Sequence, residues 1–264
     1  MPTTFQSSMT TFIDTHVHFY DEWFADEAEE AISRSLRAGI VKMIQPDVDS
    51  KEREKMFSLS EKHPGILFTM IGLYPGSVDE NWEKEIEDML RYYSRNPVAI
   101  GEIGLDYYYS NETAELQKTA LKAQFELASK LNLPVNIHLR DATEDFLKVV
   151  KECSHLGLRG NMHAFSGSYE TFLELQKYGD WSVGIGGVVT FKKAKVAESV
   201  GKIPLEKIVL ETDAPYLAPV PMRGKRNEST FIPFIAQKIA DIKGISIEEV
   251  AEVTSHNAEA LFGI

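Results

Sequence analysis

The sequence predicts an α/β protein: a single (β/α)8 TIM-type barrel over residues 11–264, with its active site at the C-terminal ends of the strands. Three observations predict it. Strand-like and helix-like segments alternate eight times with no linker, repeat or low-complexity tract between them, a pattern that favours parallel strands joined by helices. The 264 residues suit one barrel of this kind, which usually takes about 250. Side chains able to hold a metal fall at the ends of separate strands, where such barrels build their sites. A doubly wound open sheet is the runner-up, and the unit count and the length favour the barrel.

Residues 1–10 form a short polar extension before the first strand. Phe12–His18 is that strand, ending in His16-Val17-His18, and Ala25–Ala38 follows as a helix. The next units pair Ile40–Ile44 with Lys51–Lys62, Ile66–Gly72 with Trp82–Tyr93, and Val98–Ile103 with a long helix from Thr113 to Leu131. Val135–His138 precedes the helix Thr143–Cys153, and Leu158–His163 precedes Tyr169–Tyr178. Trp181–Ile185 leads to a helix around Ala194–Val200, and Ile208–Thr212 to Phe231–Ile242. A last helix, Ile247–Leu261, closes the chain.

Composition narrows the function. With 43% hydrophobic residues the chain can bury a sizeable core, and 17 Gly and 11 Pro exclude collagen-like and disordered classes. No run is apolar enough to span a membrane, and the first ten residues lack the apolar stretch of a signal peptide. A single cysteine, Cys153, allows no internal disulfide and fits a reducing compartment, so a cytoplasmic location is expected. The formal charge is −12, from 28 basic and 40 acidic residues, opposite in sign to a protein that coats duplex DNA.

His16 and His18 lie two apart on a strand and so face one side, where neutral imidazoles can grip one ion. Glu102 is expected at the end of the fourth strand, His138 of the fifth, His163 of the sixth, and Asp213 just after the eighth. His63, His155 and His256 sit at no strand end and read as capping, packed or solvated residues. Four imidazoles and two carboxylates exceed one tetrahedral ion and suit two ions that share a carboxylate. The nitrogen-rich set suits zinc or manganese; magnesium, which prefers oxygen, fits less naturally.

With those residues in view, the chain resembles the TatD-like metal-dependent deoxyribonucleases, a branch of the amidohydrolase-type barrels. The resemblance runs from Phe12 to Phe262. It is carried by Ile13-Asp14-Thr15-His16-Val17-His18, Gly101-Glu102-Ile103-Gly104-Leu105-Asp106-Tyr107, Ile137-His138-Leu139-Arg140-Asp141-Ala142 and His163-Ala164-Phe165-Ser166-Gly167. The distinctive run Glu211-Thr212-Asp213-Ala214-Pro215-Tyr216-Leu217-Ala218-Pro219 and the segment Arg223-Gly224-Lys225-Arg226-Asn227 complete it. The resemblance implies a first ion on His16, His18, Glu102 and Asp213, and a second on Glu102, His138 and His163. It implies phosphodiester hydrolysis, typically at a DNA strand end, with Glu102 and Asp213 as the catalytic carboxylates and Glu211 supporting the ligands from behind. Two departures stand out. Tyr74 precedes Pro75 where the family usually has His, and Asn227-Glu228-Ser229 lacks a proline often found there.

For substrate, Arg140, Arg223 and Lys225 are expected to rim the site, with Arg226, Lys192, Lys193 and Lys195 nearby, as a local positive mouth on an acidic body. Tyr107, with Tyr108 and Tyr109 beside it, follows Glu102 and could stack an exposed base. The expected partner is DNA, at ends or as single strands, with no membrane and no obligate protein partner. Two other readings stay open: a hydrolase of the same barrel class acting on an amide, lactone or other ester, and a metal- or partner-binding protein without turnover.

Overall fold

A computed structural model describes residues 10–264; residues 1–9, most of the expected N-terminal extension, lie outside the described residues. Eight parallel strands run in chain order: β1 (Phe12–Asp14), β2 (Ile40–Gln45), β3 (Leu67–Thr69), β4 (Ile100–Asp106), β5 (Val135–Arg140), β6 (Arg159–Met162), β7 (Asp180–Ile185) and β8 (Ile208–Leu210). Continuous ladders join β1 to β3 and β4 to β8. Two isolated parallel bridges, Ile71 to Ile100 and Val17 to Ala214, close the ring, so the barrel has no free edge.

The helices are α1 (Ala28–Arg37), α2 (Ser50–Glu61), α3 (Trp82–Leu90), α4 (Ala114–Leu131), α5 (Thr143–Glu152), α6 (Tyr169–Leu175), α7 (Val196–Lys202), α8 (Ile232–Lys243) and α9 (Ile247–Phe262). Each turns one apolar stripe inward. In α1 the buried residues Ala28, Ala31, Ile32 and Ser35 fall at the helical spacing. Side-chain oxygens of Asp49, Ser168 and Ser246 accept backbone N–H groups at the starts of α2, α6 and α9 and fix where those helices begin.

The main core lies between strands and helices and includes Phe125, Phe146 and Trp181. A smaller cluster joins Ile13, Ile44, Met70 and Val209 to Ala258 and Phe262 of α9. Ile13 precedes His16 on the chain, so this apolar floor lies on the N-terminal side of the metal-ligand candidates.

Several strand ends differ from expectation, and two of them bear on the site. The β1 ladder stops at Asp14, not at His18. The Asp14 carboxylate accepts the His16 N–H at 3.2 Å and breaks the ladder, which Val17 rejoins through the bridge to Ala214. Glu102 is not at the end of β4; it is the third residue of a strand that runs on to Asp106. Ile100 pairs with Val135 and Ile103 with Ile137, so three steps on β4 match two on β5. This extra residue is a bulge, and it re-aims the Glu102 side chain relative to a regular strand.

Candidate metal centre

All six expected ligands meet in one cavity region at the C-terminal side of the strands. His16 Nε2 lies 3.2 Å from His18 Nε2, 3.4 Å from Glu102 Oε2 and 3.7 Å from Asp213 Oδ1. His18 Nε2 is 3.3 Å from Asp213 Oδ1. Glu102 Oε1 lies 2.8 Å from His138 Nδ1 and 3.9 Å from His163 Nε2. Two groups, His16 with His18 and Asp213, and His16 with Glu102 and His163, each bring their donor atoms within 4.8 Å of one another. The rings of His16 and His163 stack at 3.5 Å.

Three imidazoles are hydrogen-bonded through the nitrogen turned away from the centre, and His163 sets that nitrogen beside a carboxylate. His16 Nδ1 is 3.0 Å from Asn136 Oδ1, and His163 Nδ1 is 2.9 Å from Glu211 Oε1. His18 Nδ1 is 2.8 Å from the Tyr20 hydroxyl, whose own proton goes to the Pro46 carbonyl at 2.6 Å. The Tyr20 oxygen must therefore accept, so His18 carries its proton on Nδ1. His138 is turned the other way: Nε2 is 2.8 Å from Asp106 Oδ2, and Nδ1 faces Glu102. With an oxygen behind every ring, each imidazole in its neutral form would turn one lone pair inward, beside Glu102 and Asp213. Metal-binding histidines are held in this way.

The electrostatics agree. Burial works against the charge on Glu102, yet His16 and His138 hold its carboxyl well below the usual range. Burial likewise opposes ionisation of Asp213, and His163 and His18 outweigh it. Burial also disfavours protonated His138 and His163, but Asp106 and Glu102 push His138 up to about 9, and Glu211 and Asp213 push His163 up to about 10. Ionised carboxylates packed among imidazoles, with no lysine or arginine among the described residues in ion-pair contact, are the donor set that divalent cations take.

Sequence reasoning named six ligand candidates and Glu211 behind them; the structure brings these together and adds groups that the sequence did not single out. Asp106 was legible only as part of a motif, yet it accepts from His138, from the Tyr74 hydroxyl at 3.1 Å and from the Tyr108 N–H at 2.9 Å. Tyr74 also lies edge-on to His138, with ring centres 4.9 Å apart. Asp14 receives Thr212 and Ser229 hydroxyls, each at 2.6 Å, and ties β1 to the segment carrying Asp213. Asn227 donates to the Thr212 and Tyr216 carbonyls at 2.8 and 2.6 Å, and so pins the loop that lacks the proline.

A cavity of about 920 Å³ opens above the centre. Its wall differs from the expected positive mouth. Arg140 and Lys51 are the basic side chains on it among the described residues, and Asp21, Glu22, Asp49 and Glu52 line the side after β1 and β2. Arg223 and Lys225 are not on the wall: the Arg223 guanidinium lies 4.3 Å from the Phe191 ring, and Lys225 points from an exposed turn closed on Met222. Arg226 is spent on Glu27 and Glu228, at 2.7 and 2.9 Å. Lys192, Lys193 and Lys195 are exposed and also off the wall. Tyr107 bonds Asp145 at 3.2 Å outside the cavity, and Tyr109 takes the wall position expected for it.

The comparisons with known proteins agree with this architecture. The family model described as TatD related DNase matches residues 13–263. The uncharacterized metal-dependent hydrolase YabD of Bacillus subtilis is 35% identical over 253 residues, 95% of this chain and 98% of that protein. The 3′-5′ ssDNA/RNA exonuclease TatD of Pantoea ananatis is 34% identical over 259 residues, 95% of this chain and 99% of that protein. Among solved structures, the TatD homologue YjjV of Escherichia coli superposes with a TM-score of 0.90 at 27% identity, covering 97% of this chain and all of that one. A parallel barrel with six ligand-type side chains at its C-terminal mouth, matched from one end of the described chain to the other, places this protein in the TatD related DNase family of metal-dependent hydrolases.

Proposed function

We propose that this chain is a two-metal phosphodiesterase that removes nucleotides from single-stranded nucleic acid, with DNA ends as its foremost substrate. The observation that carries the reading is the paired centre: four imidazoles, each with a polar partner behind it, with inward nitrogens set around buried Glu102 and half-buried Asp213. His16, His18, Glu102 and Asp213 would hold the first ion, and Glu102, His138 and His163 the second. Zinc or manganese suits four nitrogens better than magnesium does. Divalent ions at such a site supply Lewis acidity toward a phosphoryl oxygen and a water that loses its proton near neutral pH.

The protein's own groups do the rest. Asp213 sits over His16 and His18 at the cavity floor and keeps a partly open face. Its carboxylate orients the attacking water and accepts its proton. Arg140 engages a non-bridging phosphate oxygen from the wall. Phe165, Ile185 and Val189 give the other side an apolar lining that excludes water from the cut bond. The name of the Pantoea ananatis relative supports a single strand as substrate. No described helix is long and apolar enough to cross a membrane, and the one cysteine, Cys153, is buried and unpaired; both support a cytoplasmic location.

The test is metal-stripped protein re-supplied with zinc, manganese or magnesium and offered single-stranded, duplex and nicked DNA, RNA, and a panel of amides and lactones. Metal-dependent loss of terminal nucleotides from single strands is expected. Turnover of an amide or lactone with no cleavage of any nucleic acid would overturn the reading.

A further inference from the structure

We infer that Arg140, Tyr108 and Tyr109 form a stacking subsite for the nucleotide next to the one being removed. This deepens, and rests on, the reading of the centre as a nuclease. The subsite is built where β4 and β5 end together, with Asp106 paired in register with Arg140. Beyond that point the Tyr107 N–H bonds the Arg140 carbonyl at 3.0 Å, and Tyr107 leaves the mouth for Asp145. Tyr108 then lies under the guanidinium, with Arg140 Cζ 3.4 Å from its ring centre. Tyr109 stands edge-on to Tyr108 at 4.8 Å and is 88% exposed. The Asp106 carboxylate that orients His138 also anchors the Tyr108 backbone, so the subsite and the metal centre share one support.

Three features point to a nucleotide. Arg140 forms no ion pair with any described carboxylate, although the chain is rich in them. Its guanidinium, seated over an aromatic ring, is free for a phosphate. An exposed tyrosine alone says little, but Tyr109 stands on the cavity wall beside this arginine, within a base's length of it: Arg140 Cζ is 5.8 Å from the Tyr109 ring. The rest of the wall sets the direction. On the β1 and β2 side Asp21, Glu22, Asp49 and Glu52 outnumber Lys51 and leave that side net acidic against a phosphate backbone, and the β6 to β8 side offers apolar Phe165, Ile185 and Val189. The strand therefore leaves over β4 and β5. Bases paired and stacked in a duplex cannot lie on Tyr109, so the subsite selects single strands at least two nucleotides long.

The probe is a fluorescein-labelled, phosphorothioate-linked oligothymidylate decamer bound to the metal-loaded protein and read by anisotropy. Tyr109→Ala should raise its Kd about tenfold, and Tyr109→Phe should stay within about twofold, since the face and not the hydroxyl carries stacking. Arg140→Gln should flatten the salt dependence by about one phosphate contact, a slope change of roughly 0.7. A wild-type Kd in Tyr109→Ala, an equal loss in Tyr109→Phe, or no binding by the wild type overturns the subsite. Oligonucleotide turnover with an unchanged Kd in Tyr109→Ala removes the subsite and leaves the nuclease; Tyr109-dependent binding without turnover does the reverse.

Discussion

In the proposed centre both halves depend on Glu102, because its two oxygens face different histidines: Oε2 toward His16, Oε1 toward His138 and His163. Glu102→Ala should therefore release both ions together, and Glu211→Gln should weaken one. Metal content after gel filtration distinguishes them; full retention by Glu102→Ala would end its shared role. A pH prediction follows from the raised imidazoles. His138 at about 9 and His163 at about 10 stand above the ordinary 6.5, so in ion-free protein their carboxylate contacts are fully present below about pH 6.5. They are lost as pH rises through about 9 and 10, with about 3 kcal/mol from His138 alone. Ligation needs neutral rings, so ion binding releases protons and tightens over the same range. Thermal denaturation from pH 6 to 10, with chelator and with zinc, should show falling stability only in the chelated protein. At the rim, Arg140→Ala should raise KM for single strands about tenfold, and Arg223→Ala should leave it within twofold, because Arg223 lies on Phe191 and off the wall. A larger effect at Arg223 in steady-state kinetics would return it to the substrate path. Sequence picked out the ligand candidates because imidazoles at strand ends are a strong pattern. It could not separate Arg140 from Arg223, because that depends on where two loops fold.

At the scale of elements, placement of the ligands comes from irregularity. β1 breaks at Asp14, β4 bulges at Glu102, and Asp213 sits three residues past β8 with φ at 58°. A non-glycine residue there costs roughly 1 kcal/mol. The Asp213 N–H bond to the His16 carbonyl at 2.9 Å and the bridge from Val17 to Ala214 hold it. Gly104 shows how tightly β4 meets β5: a Cβ built on it would lie 1.8 Å from the His138 carbonyl oxygen, and its φ of 149° disfavours any side chain. Gly104→Ala should cost about 3 kcal/mol or more and loosen His138, lowering both the urea midpoint and the metal content. A wild-type midpoint would show that the strands part freely. Element types and their order were readable from apolar runs and helical spacing. Their ends were not: β1 and β8 are shorter than their apolar runs, and β4 and β5 are longer. Side-chain capture of backbone groups and pairing with a neighbour decide those ends.

For the whole molecule, the charge of −12 and the mixed cavity wall argue against an electrostatic coat for duplex DNA and for a few local phosphate contacts beside the metals. The chain by itself determined the barrel, since eight strand-and-helix units of ordinary length have few other ways to bury their apolar faces. It also pointed to six ligand candidates, because imidazoles and carboxylates at the mouths of separate strands can converge. Tertiary structure alone decided which nitrogen each histidine turns inward, since Asn136, Tyr20, Asp106 and Glu211 come from distant parts of the chain. It also decided which basic and aromatic side chains reach the mouth. Those choices depend on distances of a few ångströms between loops, and no local pattern of residues encodes them.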